Sequence, residues 1–300
     1  MIFYKETNFK ETPIGKIPKE WELVKLKDIT MEMFYGLTAK AVEKQTKLRM
    51  LRTTDIKDYR VDWNTLPFCE ITEKRGNITQ YLLRQGDLII ARAGTTGVSA
   101  LVESNLGDVI FGSYLIKVRL KDQVNPKFIH YFLQSKFYWK HIISSQAGST
   151  LKNITLPILS SLQIPLPSTT EQQEIVKVLS VVDLAIQKTD EVVARTERLK
   201  KGLMQELLTK GIGHKEFKDT EIGRIPKEWD IVKLSSIAEI IMGQAPQSST
   251  YNKEGRGLPF LQGKMEFGNI YPTPTMYCSE PVKIAESNDI LLSVRAPVGD

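Results

Sequence analysis

The stretch that decides the fold of this chain occurs twice. It reads IGKIPKEW at residues 14–21 and IGRIPKEW at residues 222–229, inside two 18-residue segments that match without a gap at 13 positions. A second pair of similar segments follows, with DLIIARAG starting at Asp87 and DILLSVRA starting at Asp289. The first pair sets an aromatic residue beside a proline-fixed turn, and the second has the apolar run of a buried strand. The repeat therefore indicates two similar domains.

The segments that separate the repeated ones differ from each other. Residues 30–85 and 238–287 share little that can be aligned. We interpret the repeated segments as a common scaffold and the unlike segments as two different recognition surfaces. Gene duplication followed by neutral drift is the alternative explanation.

Composition and charge narrow the class of protein. The 300 residues suffice for two domains, and they contain no run of about 18 apolar residues and no signal peptide pattern. Cys69 and Cys278 are far apart, so we expect a cytoplasmic protein without disulfides, metal thiolates or a membrane partner. Residues 1–165 contain 24 Lys and Arg against 16 Asp and Glu, a net charge of +8. This excess favours a nucleic-acid partner, although a basic surface that binds nothing is equally compatible with it.

A long helix is predicted between the two repeats. From Ser168 to Thr209, Gly202 is the only Gly or Pro. Ser168 and Glu171 have capping-box spacing, and Lys210 with Gly211 supplies a basic last turn and a stop. The helix has an apolar seam typical of packing on another long helix: Ile175, Val178, Val182, Ile186, Val192, Leu199 and Leu203. At about 1.5 Å per residue it would be about 60 Å long and would hold two domains at a fixed distance.

No catalytic constellation is recognisable in the sequence. His130, His141 and His214 are scattered and lack the spacing of a metal site. The DIK stretch at residues 55–57 has the acid-x-Lys form of many nucleases, but no Pro-Asp pair precedes it. We therefore predict a non-catalytic protein.

Three polar clusters in the first domain are candidate DNA contacts. Duplex recognition needs Lys or Arg for phosphates and Arg, Asn, Gln, Ser or Thr for base edges. An ordinary solvated turn is an equally good interpretation of each cluster. The candidates are Arg49, Arg52, Thr53 and Thr54; Arg92, Thr95 and Thr96; and Gln146, Ser149, Thr150, Lys152 and Asn153. The third cluster follows an aromatic-rich segment that is predicted as one helix over residues 126–140. In this helix we expect Phe128, Phe132, Leu133 and Phe137 in the core and not on a stacking surface.

Together these motifs resemble the specificity subunit of type I restriction–modification systems over essentially the whole chain. The resemblance is carried by both IPKEW copies, GDLII at 86–90 with RAPVG at 295–299, GST at 148–150, IPLP at 164–167, EQ at 171–172 and the helix end at 199–211. Each motif is short, but their order and the repeat are specific.

The resemblance implies an α+β fold in three parts. These are a globular mixed α/β target-recognition domain (1–167), a long coiled-coil-type spacer helix (168–211) and the start of a second similar recognition domain (212–300). Each recognition domain would read one half of a split double-stranded DNA sequence, and the helix would set their separation. Two modification subunits would methylate adenine N6 from S-adenosylmethionine, and restriction subunits would use ATP and Mg. The chain itself would hold no cofactor.

The repeat spacing suggests one departure from the family. The second recognition domain would be incomplete at Asp300, and a second long helix would be missing, so we expect a fragment or a truncated gene. The uncovered seam would then pair with the same helix of a second copy, giving a homodimer that reads a palindrome. Two other classes stay open: the recognition end of a single-chain restriction–methyltransferase, and a coiled-coil interaction protein without a nucleic-acid role.

Overall fold

The computed structural model describes residues 8–72, 78–146, 153–263, 266–268 and 271–294. The chain forms two compact units, Met1–Leu199 and Lys200–Asp300, and the division falls inside the long helix. Within the described ranges, no helix has the length and apolar character needed to cross a membrane.

Two four-stranded sheets form the body of the first unit. Its strands are β1 (Phe9–Thr12), β2 (Gly15–Pro18), β3 (Glu22–Lys25), β4 (Thr30–Tyr35), β5 (Ala39–Val42), β6 (Arg49–Leu51), β7 (Ile56–Lys57), β8 (Arg60–Val61), β9 (Phe68–Ile71), β10 (Leu88–Ala91), β11 (Ser99–Leu101), β12 (Val109–Phe111), β13 (Leu115–Leu120) and β14 (Gln163–Leu166). Its helices are α1 (Pro126–Phe132), α2 (Lys136–Ser145), α3 (Leu156–Ser160) and the first part of α4 (Thr169–Lys210). One sheet has the antiparallel order β11-β10-β13-β4, and the other has the order β12-β6-β9-β5 with β12 and β6 parallel.

Strand β10 separates two hydrophobic cores. Leu88 and Ile90 pack with residues of α1, α2 and α3, whereas Ile89 and Ala91 pack with residues of the second sheet. All four side chains are fully buried. Because successive side chains of a strand point to opposite faces, a strand covered on both sides is apolar at every position. The prediction of a buried strand is confirmed for this copy.

The aromatic-rich segment forms two helices, so the prediction of a single helix over residues 126–140 is wrong. The backbone N–H of Tyr138 donates to the Ser135 hydroxyl at 3.4 Å, and Ser135 is the N-cap of α2. A serine that offers its oxygen to free amides favours a new helix start over continuation of the old one. The expected core positions are confirmed, since Phe128, Phe132 and Leu133 are buried and Phe137 packs against them.

Helix α4 is fastened to the first unit near its start. The backbone N–H of Glu171 donates to the Ser168 hydroxyl at 3.3 Å. Gln172 is 1% exposed; its amide oxygen accepts from the Asn125 backbone N–H at 2.8 Å, and its amide group donates to the Pro167 carbonyl. Further along, the Tyr131 hydroxyl donates to an Asp183 carboxylate oxygen at 2.6 Å. These bonds fix the direction in which the helix leaves the domain.

The second unit repeats the first hairpin residue for residue. It contains the end of α4 with β15 (Phe217–Thr220), β16 (Gly223–Pro226), β17 (Tyr251–Asn252), β18 (Leu258–Pro259) and β19 (Tyr277–Cys278). Strand β15 pairs with β16 in the register of β1 with β2, shifted by 208 residues. Gly15 and Gly223 have φ values of 114° and 113°, a region that favours glycine. The repeat read from the sequence is thus confirmed in the structure.

The second pair of similar segments shares a turn but not a strand. The backbone N–H of Arg84 donates to Asp87 at 2.8 Å, and that of Glu286 donates to Asp289 at 2.8 Å. Ile290, however, is 88% exposed, and residues 290–294 form no strand. The prediction of a buried strand is wrong for this copy, because no strand of the described residues pairs with it.

The described part of the second unit has a small apolar core. Ile225 and Cys278 are its buried hydrophobic residues. Leu26 is 1% exposed in the first unit, whereas its repeat counterpart Leu234 is 55% exposed. The two copies therefore share local conformation but not depth of burial.

Candidate nucleic-acid interface

Parts of all three predicted polar clusters lie around the loop that joins β10 to β11. A Cβ placed on Gly94 of this loop would be 3.5 Å from the Thr53 hydroxyl oxygen. The backbone N–H of Ile154 donates to the Arg92 carbonyl at 2.9 Å, which puts Asn153 beside the same loop. We call the area formed by Thr53, Thr54, residues 92–97 and Asn153 the loop surface. Thr54 and Thr95 are exposed on it, and Thr53, Thr96 and Asn153 are partly exposed.

The third cluster is described only in part. Gln146 is the C-cap of α2 and is partly exposed. Ser149, Thr150 and Lys152 lie outside the described residues. Asn153 is therefore the member of this cluster that the structure places on the loop surface.

Arg92 stands out on the loop surface because its charge has no carboxylate partner among the described residues. Its guanidinium carbon lies 4.5 Å from the centroid of the Tyr35 ring. The Tyr35 hydroxyl accepts from the backbone N–H of Leu156 at 3.1 Å, which holds the ring in place. The Arg92 Nε is buried and makes no hydrogen bond within the described ranges. A guanidinium placed over an aromatic ring, with no carboxylate bound to it, suits acceptors such as phosphate or guanine.

The two arginines of the first cluster are engaged inside the domain. Arg49 donates to the Trp63 carbonyl at 2.8 Å and to the Leu106 carbonyl at 3.3 Å. Arg52 forms a two-bond pair with Asp55 at 3.0 and 2.7 Å, and this hydrogen bonding raises the pKa of Arg52 above its usual value. Of the three predicted arginines, Arg92 is thus the one that remains available to an outside ligand.

The loop surface rests on aromatic residues that the sequence did not single out. The Tyr138 hydroxyl donates to the Gly97 carbonyl at 2.8 Å. A Cβ on Gly97 would lie 2.8 Å from the Trp139 ring, and Gly97 has a φ of 94°, so both space and backbone require glycine there. The RAGTTG motif indicated a tight loop. Its supports, which include Tyr35, come from distant parts of the chain and have no local signal.

No metal-binding or catalytic arrangement stands out in the described ranges. They contain no group of three or more His, Cys, Asp and Glu residues able to hold a metal ion. His130 is buried, with its Nδ1 3.5 Å from the Ser99 hydroxyl oxygen, and burial lowers the pKa of His130 to about 4. The ring nitrogen Nε2 of His141 donates to the Ile158 carbonyl at 2.9 Å. Both histidines thus have structural contacts.

The apolar seam of α4 is mostly open to solvent. Ile175 packs against the hydrophobic core that β10 forms with α1, α2 and α3. The other predicted seam residues expose between 46% and 61% of their surface: Val178, Val182, Ile186, Val192, Leu199 and Leu203. Apolar side chains repeated at this spacing and left exposed mark a surface for another helix.

Comparison with known proteins identifies the family. Residues 18–194 match the family model described as type I restriction modification DNA specificity domain. The chain is 41% identical to a candidate MjaX specificity subunit of Methanocaldococcus jannaschii, over 99% of this chain and 72% of that protein. The chain belongs to the type I restriction–modification specificity family. The MjaVIII specificity subunit of the same organism is 27% identical, over 99% of this chain and 69% of that protein.

A solved structure supports the same membership. It was determined to study complex assembly and conformational transition of a type I restriction–modification system. One of its chains matches with a TM-score of 0.57 and 27% identity, over 94% of this chain and 70% of that chain. The α+β fold with its long helix is thereby confirmed. As a specificity subunit, the chain recognises DNA sequence and directs the restriction–modification complex, a role of recognition and not of chemistry.

Proposed function

We propose that the first recognition domain, residues 1–167, reads one half of a split double-stranded DNA sequence through the loop surface. The observation that carries this proposal is Arg92, whose guanidinium lies over the Tyr35 ring and has no carboxylate partner among the described residues. Around it, Thr53, Thr54, Thr95, Thr96 and Asn153 supply the hydroxyl and amide groups that hydrogen-bond to base edges. Binding residues on loops held by a rigid scaffold are a common design for recognition.

Arg92 is assigned to a base edge in this proposal. A guanidinium donates two parallel hydrogen bonds to O6 and N7 of guanine in the major groove, and this contact discriminates among bases. The Tyr35 ring limits the orientations of the guanidinium, so less conformational freedom is lost on binding. The threonines beside it have shorter side chains, whose hydroxyl groups hydrogen-bond to neighbouring base edges.

Helix α4 sets the separation between the two half-sites. Its 42 residues give a rod of about 63 Å at 1.5 Å per residue. The bonds of Gln172 and Tyr131 hold its first turns on the first recognition domain. In this arrangement residues 168–211 act as the spacer, and the segment from 212 onward belongs to the second recognition domain.

The exposed seam supports a helical partner. We propose that the same seam of a second copy covers it, which would place two first recognition domains about a two-fold axis and give a palindromic site. The chemistry belongs to other subunits: two modification subunits that bind S-adenosylmethionine and methylate adenine, and restriction subunits that bind ATP and Mg. This chain contributes no cofactor ligand in the proposal.

The test is a map of adenine methylation in cells that express this chain with its modification subunit and otherwise lack adenine methylation. We expect methylation at one defined motif. Arg92→Ala should alter or abolish that motif, whereas Arg84→Ala, an exposed arginine at the opposite end of β10, should leave it unchanged. Absence of methylation, or an identical motif for Arg92→Ala, would contradict the proposal. A palindromic motif would support the homodimer, and an asymmetric split motif would exclude it.

A further inference from the structure

The β7–β8 hairpin contains an arrangement that disfavours its own folding. Lys57 and Arg60 stand directly opposite each other in the strand register. Both side chains are exposed, and neither forms an ion pair with any residue that the structure describes. Like charges directly opposite each other destabilise a strand pair. The hairpin therefore presents two exposed cations that form no ion pair among the described residues, and Asp58, in the turn between them, is its one carboxylate.

The turn of this hairpin is also unfavourable. Asp58 and Tyr59 form its two-residue loop with φ values of 47° and 61°. Turns of this kind usually contain Asn-Gly or Asp-Gly, because the left-handed region costs energy for residues with a large side chain. A bulky tyrosine in this conformation persists only where surrounding contacts hold it.

The contacts that hold the hairpin connect it to the loop surface. The indole N–H of Trp139 donates to the Tyr59 hydroxyl at 3.1 Å, and the Tyr59 ring meets His130 edge-on at 6.4 Å between centroids. The other side of the Trp139 ring system lies against Gly97 of the loop surface. Ile56, at the base of the hairpin, is buried in the hydrophobic core that β10 forms with the second sheet. The hairpin and the loop surface thus share one aromatic support.

We propose that the β7–β8 hairpin is a phosphate-binding element of the DNA interface, in which Lys57 and Arg60 grip the backbone beside the bases read by the loop surface. Trp139 and Tyr59 are positioning residues that hold the two cations in place. DNA phosphates would relieve the repulsion between Lys57 and Arg60, and the shared Trp139 support joins the hairpin to the loop surface that contains Arg92. This inference rests on the function proposed above, and it adds a second contact of a different chemical kind.

Phosphate contacts and base contacts differ in what they control, and the experiment uses this difference. The affinity of the assembled methyltransferase complex is measured for a DNA duplex that contains the motif it methylates, at salt concentrations between about 50 and 200 mM. The wild-type complex is compared with Lys57→Ala/Arg60→Ala. Each lost phosphate contact reduces the slope of log affinity against log salt by about 0.9, so we expect the double variant to lose about 1.8. Its methylation motif should be unchanged, because phosphate contacts carry no sequence information.

Lys25→Ala/Lys27→Ala is the matched control. Both lysines are exposed and lack an ion pair in the described ranges. Lys25 precedes the 3-10 turn Leu26–Ile29 and Lys27 lies within it, and the apolar side chains of this turn belong to the core on the helical side of β10. We expect the wild-type slope for this variant. If Lys57→Ala/Arg60→Ala also keeps the wild-type slope while the wild-type complex binds its motif, the inference is overturned and the proposed function stands. If the wild-type complex shows no sequence-specific binding, the proposed function itself fails.

Trp139→Phe tests the positioning role separately. It removes the N–H donor to Tyr59 and keeps an aromatic ring against Gly97. We expect a salt slope between those of the wild type and the double variant, an unchanged motif, and no further loss when Trp139→Phe is combined with Lys57→Ala/Arg60→Ala. A changed motif, or an additive loss in the combined variant, would show that Trp139 does not act through the hairpin. Thermal unfolding of each variant checks that the domain remains folded.

Discussion

The Trp21 indole N–H donates to a Glu171 carboxylate oxygen at 3.0 Å, between residues 150 positions apart in the chain. Trp21 ends the repeated IGKIPKEW stretch, and Glu171 lies in the first turn of α4. The bond joins the two motifs in the folded chain, since the repeated stretch supplies the donor and the start of α4 supplies the acceptor. It also engages the Glu171 side chain, so the predicted capping box is realised in the described structure only through the Ser168 hydroxyl.

Trp21→Phe should loosen the attachment of α4. The substitution removes a partly buried hydrogen bond to a charged group, and we expect the free energy of unfolding to fall by about 1–3 kcal/mol. Glu171→Gln is the control, because its amide oxygen can still accept from the indole. Thermal and urea unfolding of both variants provides the comparison. Equal losses for the two would indicate that the negative charge of Glu171, which Glu171→Gln removes while the indole ring stays in place, holds the helix more than the hydrogen bond itself.

The buried pair of Asp87 and Arg119 should be the most sensitive ionic contact of the first unit. Asp87 is fully buried and accepts from Arg119 at 2.8 and 2.9 Å, and this bonding raises the pKa of Arg119 above its usual value. Asp87→Ala removes the buried acceptor and leaves Arg119 only its 3.1 Å bond to the more exposed Glu32, and we expect a loss of about 3 kcal/mol in urea unfolding. Asp122→Ala, at an exposed position, should change stability by less than about 0.5 kcal/mol. A small loss for Asp87→Ala would mean that water reaches the pair.

His130 should make the stability of the first unit depend on pH below neutrality. Burial lowers the pKa of His130 to about 4; the charge of Lys127 adds to this lowering, and the charges of Glu103 and Asp183 act against it. Between about pH 4 and 6.5 the unfolded chain binds a proton that the folded chain does not, so the free energy of unfolding rises with pH across this range and then levels off. The shift corresponds to about 3 kcal/mol in total. Urea unfolding from pH 4 to 7.5 should show this slope for the wild type and for His141→Gln. The slope should be smaller for His130→Gln.

Tyr35 should govern how sharply Arg92 discriminates among bases. Tyr35→Leu removes the ring under the guanidinium, whereas Tyr35→Phe keeps the ring and removes the hydroxyl bond to Leu156. We expect Tyr35→Leu to reduce discrimination at one position of the motif by about 1–3 kcal/mol, and Tyr35→Phe to retain most of it. Competition between duplexes that differ at single positions measures this. A general loss at every position would instead indicate damage to the whole loop surface.

Charges placed in the seam should separate assembly from folding. Val182 and Val192 are more than half exposed, so Val182→Asp/Val192→Asp should change the thermal stability of the chain by little. The same variant should lose helix-mediated association, measured by sedimentation, because two carboxylates would be buried in an apolar interface. Gln187→Asp/Ala194→Asp, away from the seam on the same helix, should associate as the wild type does. Association by both variants would exclude the seam as the interface.

The sequence predicted the elements that depend on local pattern. Helix α4 starts and ends within one residue of the predicted signals, because its capping residues and its apolar period are contiguous in the chain. The sequence could not rank the arginines of the interface. Arg49 and Arg52 find partners inside the domain and Arg92 does not, and these outcomes depend on carbonyl and carboxylate groups brought close only by folding.

The β7–β8 hairpin was invisible to sequence reasoning for a related reason. A two-residue turn is normally signalled by Asn-Gly or Asp-Gly, and here it is Asp58-Tyr59. The conformation is imposed by the distant Trp139, whose indole reaches Tyr59 across 80 positions of chain. Tertiary contacts override local preference at this turn, which is characteristic of functional sites.

In the spacer role proposed above, the attachment of α4 near its start has a small angular tolerance. Over a rod of about 60 Å, a tilt of about 5° displaces the far end by about 5 Å, more than the spacing of about 3.4 Å between successive base pairs. The bonds of Gln172 and Tyr131 therefore have to keep the helix axis within about 3° of its mean direction. An error beyond that limit would shift the second contact by a full base pair, even with every DNA-binding side chain intact.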